Sequence, residues 1–163
     1  MHCVPTAGRR MGWRSSPSPL AGLLLAAVAC QPQPRLAGPP ELTITGSDYA
    51  FQLPGTLQAG RTVLHFTNAG KVAHEMGMAL LKPGVTLAQV LERVKAGGSP
   101  DSLLDGTVGI LIAEPGVATI GALSVDLLPG RTYALFCNFR DGPDKPPHSA
   151  LGMVSSRTIP GVR

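Results

Sequence analysis

The sequence predicts an all-β sandwich interrupted by one short helix, and three observations carry that prediction. Glycine and proline are abundant, 20 and 16 of 163 residues. That is roughly twice the ~12% of average usage and favours turns over long helices. Apolar residues make up 44% of the chain and charged ones 15%, enough for a packed core and too apolar for wholesale disorder. From Glu41 onward, short runs of strand-forming residues alternate with turn signals at the spacing of a sandwich or barrel.

Residues 1–29 read as an export signal rather than as fold. Arg9, Arg10 and Arg14 precede the apolar run Leu20–Ala29, and small residues lead into Cys30. The run is too short to cross a hydrocarbon core of ~30 Å as a helix. Ala27-Val28-Ala29-Cys30 resembles a bacterial lipobox, whose cysteine becomes the lipid-bearing first residue. An ordinary signal peptide cut after Ala29 is the alternative, and Met11 is an alternative start. By the lipoprotein resemblance, Gln31 after the cysteine directs the protein to the outer membrane, facing the periplasm. Residues 30–40 form a Pro-rich tether, since proline fixes φ and favours extended chain.

The formal charge of +4 shrinks once the signal is removed. From Cys30 onward 11 Lys/Arg face 10 Asp/Glu, a net +1, and the whole chain has only one Trp, two Tyr and four Phe. Neither a basic patch nor a stacking platform is available, which disfavours nucleic acid as a partner.

Within residues 41–163 the elements follow in order. Leu42–Thr45 and Tyr49–Leu53 read as strands split by Gly46-Ser47-Asp48. Thr62–Thr67 is a strand that Asn68-Ala69-Gly70 ends, and Glu75–Leu81 is closed by Pro83-Gly84. The helix is expected at about 87–96. Thr86 and Gln89 have the spacing of a capping box. Leu87, Val90, Leu91 and Val94 form one apolar stripe, and Gly97 stops the turn. That stripe is expected to be buried against the sandwich, remote from any site, with a partner-binding helix as the alternative. Ala118–Val125, Thr132–Phe136 and Met153–Ile159 complete the strands.

Four residues stand out chemically. Cys137 is the only cysteine after Cys30, so the domain offers it no disulfide partner. Taken alone it reads as a buried, inert thiol. His148 follows after ten intervening residues and Met153 after four more, while His74 lies far upstream. A thiolate, two imidazoles and a thioether are the ligand set of blue-copper electron-transfer sites. Met76 and Met78 share a strand face with His74 by period-two alternation. They are either core residues or auxiliary copper ligands. His65, mid-strand, reads as a non-ligand.

Two stretches resemble the cupredoxin family, the plastocyanin- and azurin-like blue copper proteins. Asn68-Ala-Gly-Lys-Val-Ala-His74-Glu75-Met76 resembles the segment that delivers the first histidine. Leu128-Pro-Gly-Arg-Thr-Tyr-Ala-Leu-Phe-Cys137 through His148-Ser-Ala-Leu-Gly-Met153 resembles the C-terminal ligand stretch. The resemblance implies a Greek-key β-sandwich holding one type 1 copper through His74, Cys137, His148 and Met153. It implies a one-electron carrier rather than an enzyme, with a redox partner protein in the cell envelope. A copper chaperone or storage protein, and a metal-free interaction module, are the alternatives. The ten-residue stretch Asn138–Pro147 departs from the family, whose members hold a much shorter loop between cysteine and histidine.

Overall fold

The computed structural model describes residues 38–161. The export signal, Cys30 and most of the tether lie outside the described residues. Among those described, no helix is long and apolar enough to cross a membrane.

Among the described residues, eight strands form two four-stranded sheets. The strands are β1 (Glu41–Ser47), β2 (Ala50–Gln52), β3 (Gly60–Asn68), β4 (His74–Leu81), β5 (Leu104–Ala113), β6 (Leu123–Leu127), β7 (Thr132–Phe136) and β8 (Val154–Thr158). One sheet has the order β2-β1-β3-β6 and the other β5-β4-β7-β8. Only β1 and β3 run parallel. The chain changes sheet between β3 and β4, between β5 and β6, and again between β6 and β7, giving the predicted Greek-key sandwich.

Alternation decides which side chains meet. On β3, Thr62, Leu64, Phe66 and Asn68 are buried while the residues between them are half-buried, the period of two that a half-covered sheet requires. Ile44, Leu64, Phe66, Met76, Met78, Tyr133 and Leu135 fill the space between the sheets. Burying each large apolar side chain stabilises the fold by about 1.5–3 kcal/mol. Tyr133 brings a hydroxyl into that core. It accepts from the Leu128 N–H at 3.0 Å and donates to the Asp126 carbonyl at 3.3 Å, so its polar end is satisfied.

Two strands differ from expectation. β5 was not predicted; its run contains Gly106 and Gly109, and Ile110 and Ile112 on its outer face are about half exposed. It exists because β4 pairs with it along its length, across two register shifts. The strand expected at Ala118–Val125 starts only at Leu123; before it, Ala118 makes a single bridge to Thr67. The helix α1 (Leu87–Lys95) has the predicted capping box, with Gln89 N donating to Thr86 Oγ1 at 3.3 Å and Thr86 N donating to Gln89 Oε1 at 2.8 Å.

The stripe of α1 is not fully buried. Leu87, Val90 and Leu91 are half-buried and Val94 is 43% exposed. They stand over Ala79, Ala134, Phe136 and Val154 on the outer face of the second sheet, leaving a gap of about 100 Å³. Nor is the helix remote from the predicted site. Leu91, Val94 and Lys95 share a groove with Pro147 and Ser149, which flank His148.

Candidate metal centre

Strand pairing dictates where the predicted site residues fall. β4 and β7 are antiparallel, with Gly77 opposite Phe136. Cys137, the residue after β7, therefore falls at the His74 end of β4, and its Sγ lies 3.9 Å from His74 Nδ1. β7 and β8 are also antiparallel, with Phe136 opposite Val154. That places Met153 across from Cys137, whose N–H donates to the Met153 carbonyl at 3.2 Å. His148 begins a short 3₁₀ turn, His148–Leu151, and the Met153 N–H closes it by donating to the His148 carbonyl at 2.9 Å. Gly152 ends the turn at φ 112°, a left-handed conformation that glycine adopts without a side-chain clash.

The ten-residue loop resolves the departure seen in the sequence. His148 N–H donates to the Phe139 carbonyl at 2.8 Å. Residues 140–147 are thus an excursion closed at its base, and in space His148 follows directly on Phe139. The excursion is held internally by Lys145 N–H donating to Gly142 at 3.1 Å and by Arg140 Nη1 donating to the Lys145 carbonyl at 2.5 Å.

His74, Cys137 and His148 converge at one end of the sandwich. His74 Nδ1 and His148 Nδ1 are 3.1 Å apart, and Cys137 Sγ lies 3.9 Å from the first and 3.4 Å from the second. These are separations that four-coordinate N/S ligands adopt around one ion, given bonds of ~2.0–2.3 Å. All three residues are buried, and Met153 is fully buried beside them in the chain's course. His148 Nε2 lies 2.9 Å from Asp141 Oδ1. A carboxylate only accepts, so Nε2 carries a proton, and in the neutral ring Nδ1 then presents a lone pair to the cluster. The donor set therefore fits a soft to borderline metal ion, with His74, Cys137 and His148 as its holders.

Surrounding groups prepare these donors. Burial pushes the Cys137 thiol up, offset in part by backbone N–H groups of Glu75 and Phe139 aimed at its sulfur. The Glu75 N–H lies 3.4 Å from Sγ. Burial, and then the neighbouring His148, hold His74 below the usual imidazole range. The hydrogen bond from Tyr49, and then that from His148, lower Asp141. Asn68, fully buried, pins the loop that carries His74. Its Nδ2 donates to Val72 at 2.8 Å and Ala113 at 3.1 Å, and its Oδ1 accepts from Gly70 N–H at 2.8 Å. The Glu75 carboxylate accepts from Asn138 N–H at 2.8 Å and ties the two ligand-bearing segments together.

The other sequence candidates lie elsewhere. Met76 and Met78 are fully buried in the hydrophobic core cluster. His65 stands on the outer face, 2.9 Å from Glu41, as a non-ligand should. Three residues around the site went unnoticed in the sequence: Asp141, Tyr49 and Asp48. Only the unusual length of the Asn138–Pro147 loop hinted at the first of them.

No protein-family profile matches the chain, and no curated protein sequence does. Solved structures do match. Auracyanin B superposes with a TM-score of 0.50 at 18% identity, over 76% of this chain and 92% of its own. Reduced auracyanin from Roseiflexus castenholzii gives 0.49 at 18%, over 76% and 98%. Auracyanin A, a "blue" copper protein from Chloroflexus aurantiacus, gives 0.47 at 19%, over 75% and 99%. The two-sheet topology together with the auracyanin B superposition identifies the fold as cupredoxin-like.

Proposed function

We propose that this protein is a type 1 copper protein that carries single electrons. The observation that carries the proposal is the meeting of two imidazole Nδ1 atoms and one thiol sulfur, 3.1–3.9 Å apart, in a buried pocket at one end of a cupredoxin-like sandwich. His74, Cys137 and His148 are the strong ligands and Met153 the weak axial one. Such a set suits Cu(II) and Cu(I) moderately and equally. The ligands stand on strand ends and a hydrogen-bonded turn, so little rearrangement accompanies a change of charge. With every position filled by protein, no open site remains for a substrate, which favours a carrier over an enzyme.

The same proposal includes export, with Cys30 lipidated, residues 30–40 as tether and the domain held at the outer membrane facing the periplasm. Its redox partner is a cell-envelope protein. Replacing Cys30 by serine is expected to abolish lipid labelling and release the protein from membranes; unlabelled wild-type protein would refute the tether.

Adding Cu(II) to the purified protein tests the central assignment. A strong visible band from thiolate-to-copper charge transfer is expected, and Cys137→Ala should remove it along with most Cu(II) binding. Colourless protein holding Cu(I) tightly would favour copper delivery or storage instead. Failure to bind either ion would leave a metal-free interaction module.

A further inference from the structure

The two-residue turn between β1 and β2 reaches over the histidine cluster. Asp48 Oδ1 lies 3.6 Å from His74 Nε2, which is fully buried and has no hydrogen-bond partner. Tyr49 follows at φ 64°, the one described non-glycine residue in the left-handed region. For a bulky side chain that conformation costs energy, and residues held in it concentrate at functional sites. Its ring packs edge-on against His148 with centroids 5.1 Å apart, and its hydroxyl donates to Asp141 Oδ2 at 2.5 Å. The other oxygen of Asp141 accepts a hydrogen bond from the His148 Nε2–H at 2.9 Å. Asp48 is itself anchored by the Lys71 N–H at 2.8 Å. The His148 imidazole is thus backed by a hydrogen-bonded aspartate on the side away from the cluster, while Asp48 stands near His74 Nε2 without bonding to it. His148 is only 1% exposed.

We propose that Asp141, positioned by Tyr49, is a clamp that holds the His148 imidazole with Nδ1 inward and lowers the reduction potential of the centre. This inference rests on the copper reading above. A carboxylate accepting the remote imidazole N–H fixes the tautomer and ring orientation and raises ligand basicity. Its negative charge beside the site favours the more highly charged Cu(II) form over Cu(I). The excursion at residues 140–147 then has a purpose, since it brings Asp141 to His148 while Phe139 and His148 stay joined. These are positioning residues and touch no metal.

Two measurements test the clamp. In the metal-free protein labelled with ¹⁵N, the His148 Nε2–H should give a solvent-protected imidazole signal. Asp141→Ala should abolish that signal, and Tyr49→Phe should weaken it. In the copper-loaded protein, Asp141→Asn keeps an oxygen acceptor and removes the charge. Its Cu(II) affinity should fall roughly 10–100-fold, with Cu(I) affinity affected less. Each tenfold loss confined to Cu(II) raises the potential by about 59 mV, read by voltammetry. Asp126→Asn, an exposed aspartate paired with Arg61 on the other sheet, should leave the potential where it was. The clamp is overturned if wild-type protein lacks the protected signal, or if Asp141→Asn lowers stability without moving the potential. A wild-type protein that takes up no copper overturns the copper reading and the potential with it, while the imidazole signal still decides whether the clamp exists.

Discussion

Replacing Asn68 by alanine removes one side chain and leaves three backbone groups without their partner. The carbonyl of Ala113 is buried, while the Val72 carbonyl and the Gly70 N–H are part-buried. A buried polar group left unpaired costs about 1–3 kcal/mol, and one that water can reach costs less. Taking ~1.5 kcal/mol for Ala113 and about half that for each of the others gives a loss of about 3 kcal/mol. For a domain of this size that lowers Tm by roughly 10 °C. Urea titration of the metal-free protein should show a lower midpoint at unchanged slope. Glu41→Ala, which removes an exposed partner of His65, should cost less than ~1 kcal/mol in the same assay. Because the Asn68–His74 loop loses its pin, copper affinity should fall as well. An Asn68→Ala protein within about 1 kcal/mol of wild type would refute the reasoning, since it would show that the loop holds its shape without these bonds.

Gly77 lies under the Phe136 ring, and a Cβ there would sit 2.5 Å from that ring. Gly77→Ala should therefore destabilise by about 1–3 kcal/mol in urea, the usual cost of overpacking. Thr86→Ala removes the N-cap of α1 and should cost ~1 kcal/mol locally. Because that helix is only half-buried, faster hydrogen exchange across Leu87–Lys95 should be more evident than a change in global Tm. Met153→Leu should retain copper and its colour while raising the potential, because a weak donor to Cu(II) is lost; a fall in potential on voltammetry would exclude Met153 as the axial ligand.

The sequence determined the elements whose physics is local. Alternation on β3, the strand-forming run Thr132–Phe136 of β7 and the capping box of α1 all act over a few residues, and the structure has each where it was expected. His74, Cys137, His148 and Met153 also stood out in the sequence as candidate ligands, because a lone cysteine, two histidines and a methionine together match a copper donor set, and the structure brings the first three together. What lies between distant segments was decided only by tertiary structure. β5 carries two glycines and an exposed isoleucine pair, so no periodic signal marks it, and pairing with β4 alone makes it a strand. The α1 stripe has the period of a buried face, yet how deeply it sinks depends on how closely the helix approaches Phe136 and Ala134. Asp141 and Tyr49 are 92 residues apart in sequence. An aspartate in a loop and a tyrosine in a turn carry no mark of each other. Only the closing of the loop at Phe139 and His148, and the folding of the β1–β2 turn across the cluster, bring them together over the same imidazole.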